Sequence, residues 1–280
     1  MAAVKTLGRE TVETYQRDGA VCIRGLFDPG WVRRAREAID AVLASPSELA
    51  IVASRSDDPG LFVEDFCNWR RIPLLEELAR SSPAAAAAGE LMGASQVRFF
   101  HDHVLVKEPR TRQHTPWHQD QPYYNVDGFQ GCSMWLPVDP VPRASTLELV
   151  AGSHRGPWFL PRTFLDNQAK WFPEGKLAEM PDIQGARDAF PIVGWALEPG
   201  DAVFFHFLTL HGSAGVEGPD RRRVLSLRFL GDDIVHAPRP WRTSPPFPGL
   251  EKELPAGARM DHPLFPVVWS HPTRTGGRAG

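Results

Sequence analysis

The chain has 280 residues, 42% hydrophobic and 23% charged, the balance of a globular protein that buries a core without disulfide or metal staples. Its 31 basic and 34 acidic residues leave a formal net charge of −3, which argues against the basic stripe of a nucleic-acid binder. No apolar run approaches the roughly 18 residues that span a bilayer. The expected partner is therefore a small molecule, with neither nucleic acid nor membrane involved.

Proline is frequent, 27 of 280 residues, about twice the usual share of roughly 5%. With 24 glycines it points to many ordered turns rather than to a helical bundle. Cys22, Cys67 and Cys132 are scattered, with no CxxC pair, so neither a disulfide framework nor a zinc knuckle is expected. Reduced thiols, and a first stretch MAAVKTLGRETVETYQ without an apolar signal segment, make a cytoplasmic location the expectation.

In chain order, Glu10 to Asp18 reads as a polar helix stopped by Gly19, and Ala20 to Ile23 as a short apolar strand. Asp28-Pro29 reads as a capped helix start. Trp31, Ala35, Ile39 and Val42 then recur at helical spacing over residues 30–44. Further helices are expected at Ile72 to Arg80 and Pro83 to Met92, the alanines of the latter chosen for helix propensity. Residues 1–95 thus form a mostly helical N-terminal support.

From about Gln96 short β-rich runs alternate with Pro, Gly and Asp. Strands are expected at Val97 to Lys107, Trp117 to Asp120, Gly131 to Val138, Thr146 to Val150, Ala202 to Leu210 and Arg223 to Leu230. This pattern reads as a β-sandwich or barrel with flanking helices. Residues 156–194 read as an insertion that forms a lid. The segment 237–280, with Trp241, Phe247 and Phe265, wraps the barrel or closes over its mouth. No repeat or composition break marks a linker, so one domain over 1–280 is expected.

The most informative segment runs from Gln113 to Tyr124 and contains His118-x-Asp120. On a strand, residues two apart share a face, so an imidazole and a carboxylate grip one side of a metal. His211, in Leu210-His211-Gly212-Ser213, is the best third ligand. Two histidines and one carboxylate suit Fe(II) and leave open positions for a bidentate cosubstrate and O₂. Arg222, eleven residues after His211, offers a two-pronged partner for a cosubstrate carboxylate, and Ser213 adds a hydroxyl.

His118-Gln119-Asp120, Trp135, Val150-Ala151-Gly152-Ser153-His154, Pro199-Gly200-Asp201 and His211-Gly212-Ser213 resemble the phytanoyl-CoA dioxygenase-like (PhyH) family of Fe(II)- and 2-oxoglutarate-dependent oxygenases. The resemblance runs from about Asp18 to Phe229, with the motifs in family order. It implies a double-stranded β-helix, a cupin-like jelly roll. It implies that His118, Asp120 and His211 bind iron, that Arg222 and Ser213 hold the distal carboxylate of 2-oxoglutarate, and that Trp135 lines the cosubstrate pocket. It also places His103 at a cosubstrate contact. Asp120 stands where a halogenating branch of the family has a small residue, so the resemblance implies hydroxylation rather than halogenation, with succinate and CO₂ released.

Trp117, Gln119, Tyr123, Tyr124 and Asn125 flank the metal segment and are candidates for a substrate pocket, as is Trp241. Arg228 shares strand parity with Arg222. It either anchors an anionic substrate group, in which case Arg228→Ala raises KM and spares uncoupled 2-oxoglutarate turnover, or pairs with Asp232 or Asp233, the reading favoured here. His206 is an alternative third ligand, on the opposite strand face from His211 and without its Gly-Ser sequel. His101 and His114 read as surface or supporting groups, Lys107 either as the partner of a carboxylate or, the reading favoured here, as structural, and Gly152-Ser153-His154 as a turn. The rival functions are a non-catalytic jelly-roll binding protein and a zinc hydrolase on the same scaffold.

Overall fold

Gly19, at φ 72°, closes helix α1 (Arg9–Asp18) in a left-handed cap whose N–H donates to the Tyr15 carbonyl. Strand β1 (Ala20–Ile23) leads into α2 (Pro29–Ala44), where the Asp28 carboxylate accepts from the Trp31 N–H at 3.0 Å. These elements belong to a computed structural model that describes residues 6–160, 177–216 and 218–272. There follow β2 (Ile51–Val52), β3 (Phe62–Phe66), α3 (Pro73–Ser81), α4 (Ala84–Met92), β4 (Gln96–Lys107) and β5 (Thr115–His118). Then come β6 (Val126–Asp127), β7 (Gly131–Pro137), β8 (Leu147–Val150), β9 (Ile192–Val193), β10 (Ala202–His206) and β11 (His211–Ser213). The chain ends with β12 (Arg222–Leu230), β13 (Val235–His236), α5 (Leu250–Glu253) and β14 (Val267–Ser270).

The architecture is mainly β, a double-stranded β-helix with flanking helices. The major sheet runs β1-β10-β7-β12-β4-β3-β2, with β14 also on β4, and the minor sheet runs β5-β11-β8-β9. Register decides what each face carries. On β12, Arg222, Val224, Ser226 and Arg228 stand opposite Lys107, Leu105, His103 and His101 of β4. Ser226 and Arg228 also stand opposite Trp135 and Ser133 of β7, and Glu64 of β3 is opposite Leu105. Alternation puts this polar set on the inner face. The outer face carries Leu225, Leu227, Phe229, Met134 and Leu136, which pack against Val32, Ala35 and Ile39 of α2 and Leu75 and Leu78 of α3.

Three local expectations are corrected. The strand expected at Trp117 to Asp120 is Thr115–His118, and Asp120 (φ −73°, ψ −45°) already opens a 3-10 turn over Gln121–Tyr123. The strand expected at Ala202 to Leu210 ends at His206. There the Thr209 N–H closes a turn on the His206 carbonyl, and the chain crosses into the minor sheet as β11. The alanine run of α4 is a packing requirement rather than a propensity choice, since Ala84 to Ala88 are only 0–4% exposed. A Cβ on Gly89 would meet the Trp269 ring at 2.3 Å. Gly89→Ala is therefore expected to cost about 1–3 kcal/mol through overpacking. Denaturant unfolding checks this, and an unchanged midpoint would contradict the close approach.

The C-terminal segment packs against the barrel and also reaches its interior. Leu250, Leu254, Met260 and Phe265 pack on Phe100, Tyr124 and Phe207, while Arg242 to Pro246 reach the inner cavity. The lid expected at 156–194 lies partly outside the described residues. Of its described part, Phe159, Met180, Ile183, Phe190 and Ile192 cluster with Val150 and Leu210, and none of the described 156–194 residues lines the inner cavity. Among the described residues no helix is long and apolar enough to cross a membrane.

Candidate metal centre

Strands β5 and β11 pair antiparallel with His118 directly opposite His211, so the two imidazoles share one face. Each ring donates its Nδ1–H to a backbone carbonyl two residues earlier, His118 to Pro116 at 2.7 Å and His211 to Thr209 at 2.8 Å. Those bonds assign the tautomer and leave both Nε2 lone pairs pointing inward. The Nε2 atoms lie 3.8 Å and 3.7 Å from Asp120 Oδ1. Asp120 Oδ2 accepts from the Ser133 hydroxyl at 2.6 Å and faces Arg228 Nη2 at 3.6 Å. One carboxylate oxygen is thus tied and the other is left with the imidazoles.

The charge states suit a cation. Burial opposes ionisation of Asp120, but Arg228, the two imidazoles and the Ser133 hydroxyl outweigh it and bring the carboxyl down to about 2. Burial, then the neighbouring His211, lowers His118 to about 3, and burial also lowers His211. At neutral pH the cluster is two neutral imidazoles and one carboxylate. Their candidate ligand atoms all lie within 4.8 Å of one another.

Arg222 sits at the far end of the inner face, 5% exposed. Its guanidinium carbon lies 5.5 Å from the Trp135 ring centroid. It donates to the Ser213 hydroxyl at 3.3 Å and to the Ser145 carbonyl, and its Nε has no hydrogen-bond partner among the described residues. Burial lowers it only to about 10, so it stays charged at neutral pH. Lys107 is fully buried beside it. Its Nζ donates to the carbonyls of Gln113 (2.8 Å) and Ala214 (3.0 Å) and to Ser213 Oγ (3.3 Å), not to a carboxylate. It pins the end of β11 that carries Ser213.

A cavity of about 530 Å³ opens between the sheets and is lined by His118, Asp120, His211, Ser213, Arg222, Trp135 and His103. Tyr123, Tyr124 and Arg228 also line it, whereas Trp117, Gln119, Asn125 and Trp241 do not. Trp117 and Gln119 flank the inward His118 and so point the other way. Trp117 packs beside Val150 and Leu210, and Gln119 donates to the carbonyls of Leu208 and Pro157. The Trp241 indole donates to the Pro122 carbonyl, and the Asn125 carbonyl accepts from the Ala237 N–H.

The favoured partner for Arg228 is also corrected. Asp232 accepts from Ser95 and Gln96, and Asp233 from Phe129 and Gln130. Arg228 faces inward instead, donating to the Tyr124 hydroxyl at 3.1 Å. His206 bonds the Phe129 carbonyl and accepts from the Leu208 N–H, away from the cluster. His114 is exposed, whereas His101 is 1% exposed and packs edge-on against Tyr124. Ser153 and His154 lie in the expected turn, which Ser153 Oγ secures by donating to the Val150 carbonyl. Glu64 was missed altogether. Its segment, Phe62 to Phe66, sets Phe62, Val63 and Phe66 around two adjacent acids, only a weak strand signal.

A double-stranded β-helix with two imidazoles and a carboxylate converging on its inner wall defines a metal-binding jelly roll. Residues 15–224 match the phytanoyl-CoA dioxygenase (PhyH) family, and the chain belongs to that family. A Caenorhabditis elegans protein described as a probable phytanoyl-CoA dioxygenase is 24% identical over 246 residues, 81% of this chain and 77% of that one. Among solved structures, the chain resembles the epimerase SnoN in complex with Fe3+, alpha-ketoglutarate and nogalamycin RO. The TM-score is 0.74 at 22% identity, covering 93% of this chain and 98% of that one. It also resembles EctD from S. alaskensis with 2-oxoglutarate and 5-hydroxyectoine, with a TM-score of 0.66 at 19% identity, covering 90% and 85%. These likenesses show the fold.

Proposed function

We propose that the protein is an Fe(II)- and 2-oxoglutarate-dependent oxygenase that hydroxylates a C–H bond of a small molecule, releasing succinate and CO₂. The observation that carries this reading is the convergence of His118 Nε2, His211 Nε2 and Asp120 Oδ1, each with its other polar atom already bonded. Three ligands on one side suit Fe(II) and leave positions for a chelating cosubstrate and O₂. When bound, the iron and its cosubstrate supply the oxidising power that puts one atom of O₂ into the substrate and the other into succinate. The relatives' descriptions, phytanoyl-CoA dioxygenase and alpha-ketoglutarate-dependent enzymes, support the reading.

The chain's own residues do the positioning. Arg222 and the Ser213 hydroxyl hold the distal carboxylate of 2-oxoglutarate in a two-pronged pair, with the Trp135 ring beside the guanidinium. Lys107 fixes Ser213 from behind. A zinc hydrolase would use the same three ligands but has no role for a buried, charged Arg222. Incubating the protein aerobically with Fe(II) and 2-oxoglutarate tests the reading: slow succinate release without added substrate is expected. No release from folded, iron-bound protein would contradict it.

Arg228 pairs with Asp120 Oδ2, to which the Ser133 hydroxyl also donates, and so leaves Oδ1 with the imidazoles, where it would ligate a metal; this makes Arg228 a positioning residue. Arg228→Met is expected to weaken Fe(II) binding about 10–100-fold, the usual cost of losing a group that orients a ligand. Metal titration reads this directly. Unchanged Fe(II) affinity with a raised substrate KM would return Arg228 to the substrate-anchor role.

A further inference from the structure

On the same inner face of the major sheet as Arg222 lies a second polar pair, Glu64, which has no part in the oxygenase reading, and His103, which the family resemblance set at a cosubstrate contact. Glu64, on β3, is 1% exposed, and His103, on β4, is 6% exposed. Both line the cavity. Glu64 Oε1 and His103 Nε2 approach to 3.4 Å without a hydrogen bond, and neither atom has a hydrogen-bond partner among the described residues. A buried polar atom without a partner costs roughly 1–3 kcal/mol, so two of them side by side in a cavity wall mark a place where a ligand atom bonds. Phe66 stacks on the imidazole at 3.9 Å between centroids and fixes the ring plane.

We infer that Glu64 and His103 form an uncharged hydrogen-bonding station for a substrate hydroxyl, and hence that the substrate is a neutral, hydroxyl-bearing molecule with a largely apolar frame. What becomes of that molecule rests on the oxygenase reading; the station does not. Burial raises the Glu64 carboxyl to about 8, against the pull of Lys107 and Arg228, so at neutral pH it offers an O–H donor and a carbonyl acceptor. Burial, then Arg228 and His101, holds His103 neutral, with one ring nitrogen donating and one accepting. A hydroxyl both donates and accepts, and so satisfies the pair without bringing in charge. Of the cations that line the cavity, Arg228 faces Asp120 and bonds Tyr124, Arg222 bonds Ser213 at the cosubstrate end, and Arg242 comes from the C-terminal segment. The surrounding wall is apolar, with Leu49, Ile51, Val52, Ala53 and Phe66. The cavity size falls in the range of drug-sized ligands.

The test uses three probes with one rigid apolar body: adamantanol, adamantane carboxylate and adamantylamine. Each is titrated by ligand-observed NMR into the full-length wild type, Glu64→Leu and Glu64→Gln. Wild type is expected to bind adamantanol. Its Kd should rise about tenfold in Glu64→Leu, the worth of one buried hydrogen bond, and stay within about threefold in Glu64→Gln, whose amide mimics the neutral acid. The carboxylate and the amine should show no such loss. No binding of adamantanol to wild type overturns the inference. So does an equal loss for alcohol and carboxylate, a Gln variant as impaired as the Leu variant, or an amine whose binding depends on Glu64. The same preparations are titrated with 2-oxoglutarate. Normal 2-oxoglutarate binding without the alcohol effect removes the station alone; the alcohol effect without 2-oxoglutarate binding removes the oxygenase reading alone.

Discussion

In a His211→Ala protein, Fe(II) binding is expected to weaken by more than about 100-fold, and 2-oxoglutarate turnover to vanish with it. Losing a group that merely orients a ligand already costs about 10–100-fold, and here a ligand itself is lost. His211 Nε2 is one of only three inward donor atoms in the cluster, so two ligands remain and the facial arrangement is gone. The informative control is His206→Ala, five residues earlier. His206 is equally buried, but its nitrogens serve the Phe129 carbonyl and the Leu208 N–H. Its replacement should lower thermal stability and leave Fe(II) affinity intact. The reverse pattern in a metal titration would make His206 the ligand.

Arg222→Ala should raise the Kd for 2-oxoglutarate by about 100-fold or more, since removing one member of a buried hydrogen-bonded charge pair costs roughly 2–5 kcal/mol. Arg222→Lys should recover part of this, because an ammonium restores the charge without the planar fork. The neighbouring arginines are built-in controls. Arg221 pairs with Glu108 at the surface, and Arg223 pairs with Asp139 and Asp40 on the outer face. Neutralising either should leave 2-oxoglutarate binding unchanged. If Arg223→Ala matched Arg222→Ala in cosubstrate affinity, the inward arginine would be misassigned.

Strand alternation made much of this legible from sequence. Parity places Arg222 and Arg228 on one face, and the register confirms it down to their partners on β4. Capping residues announced α2, with Asp28 accepting from Trp31. Parity was not carried far enough at His118. Its neighbours Trp117 and Gln119 point outward by the same alternation that makes them poor candidates for the pocket. Parity also misled at Asp120, which reaches the imidazoles from a 3-10 turn rather than from a strand. The break between His206 and His211 was illegible because residues 202–210 form one apolar run, and only the turn at Thr209 sends the chain to the other sheet. Glu64 and Lys107 were not found as site residues because what makes them notable is burial beside residues distant in sequence. A glutamate between Val63 and Asp65 looks like any solvated charge until β4 covers it.

The most direct test of the central claim is an anaerobic titration of the Fe(II)-loaded protein with 2-oxoglutarate, followed by the weak visible charge-transfer band of the chelate. The account predicts a saturable band in the wild type, absent in His118→Ala and shifted to higher 2-oxoglutarate in Arg222→Ala. No band from folded, iron-bound wild-type protein would contradict it, and would move a binding protein or a zinc hydrolase ahead of the oxygenase.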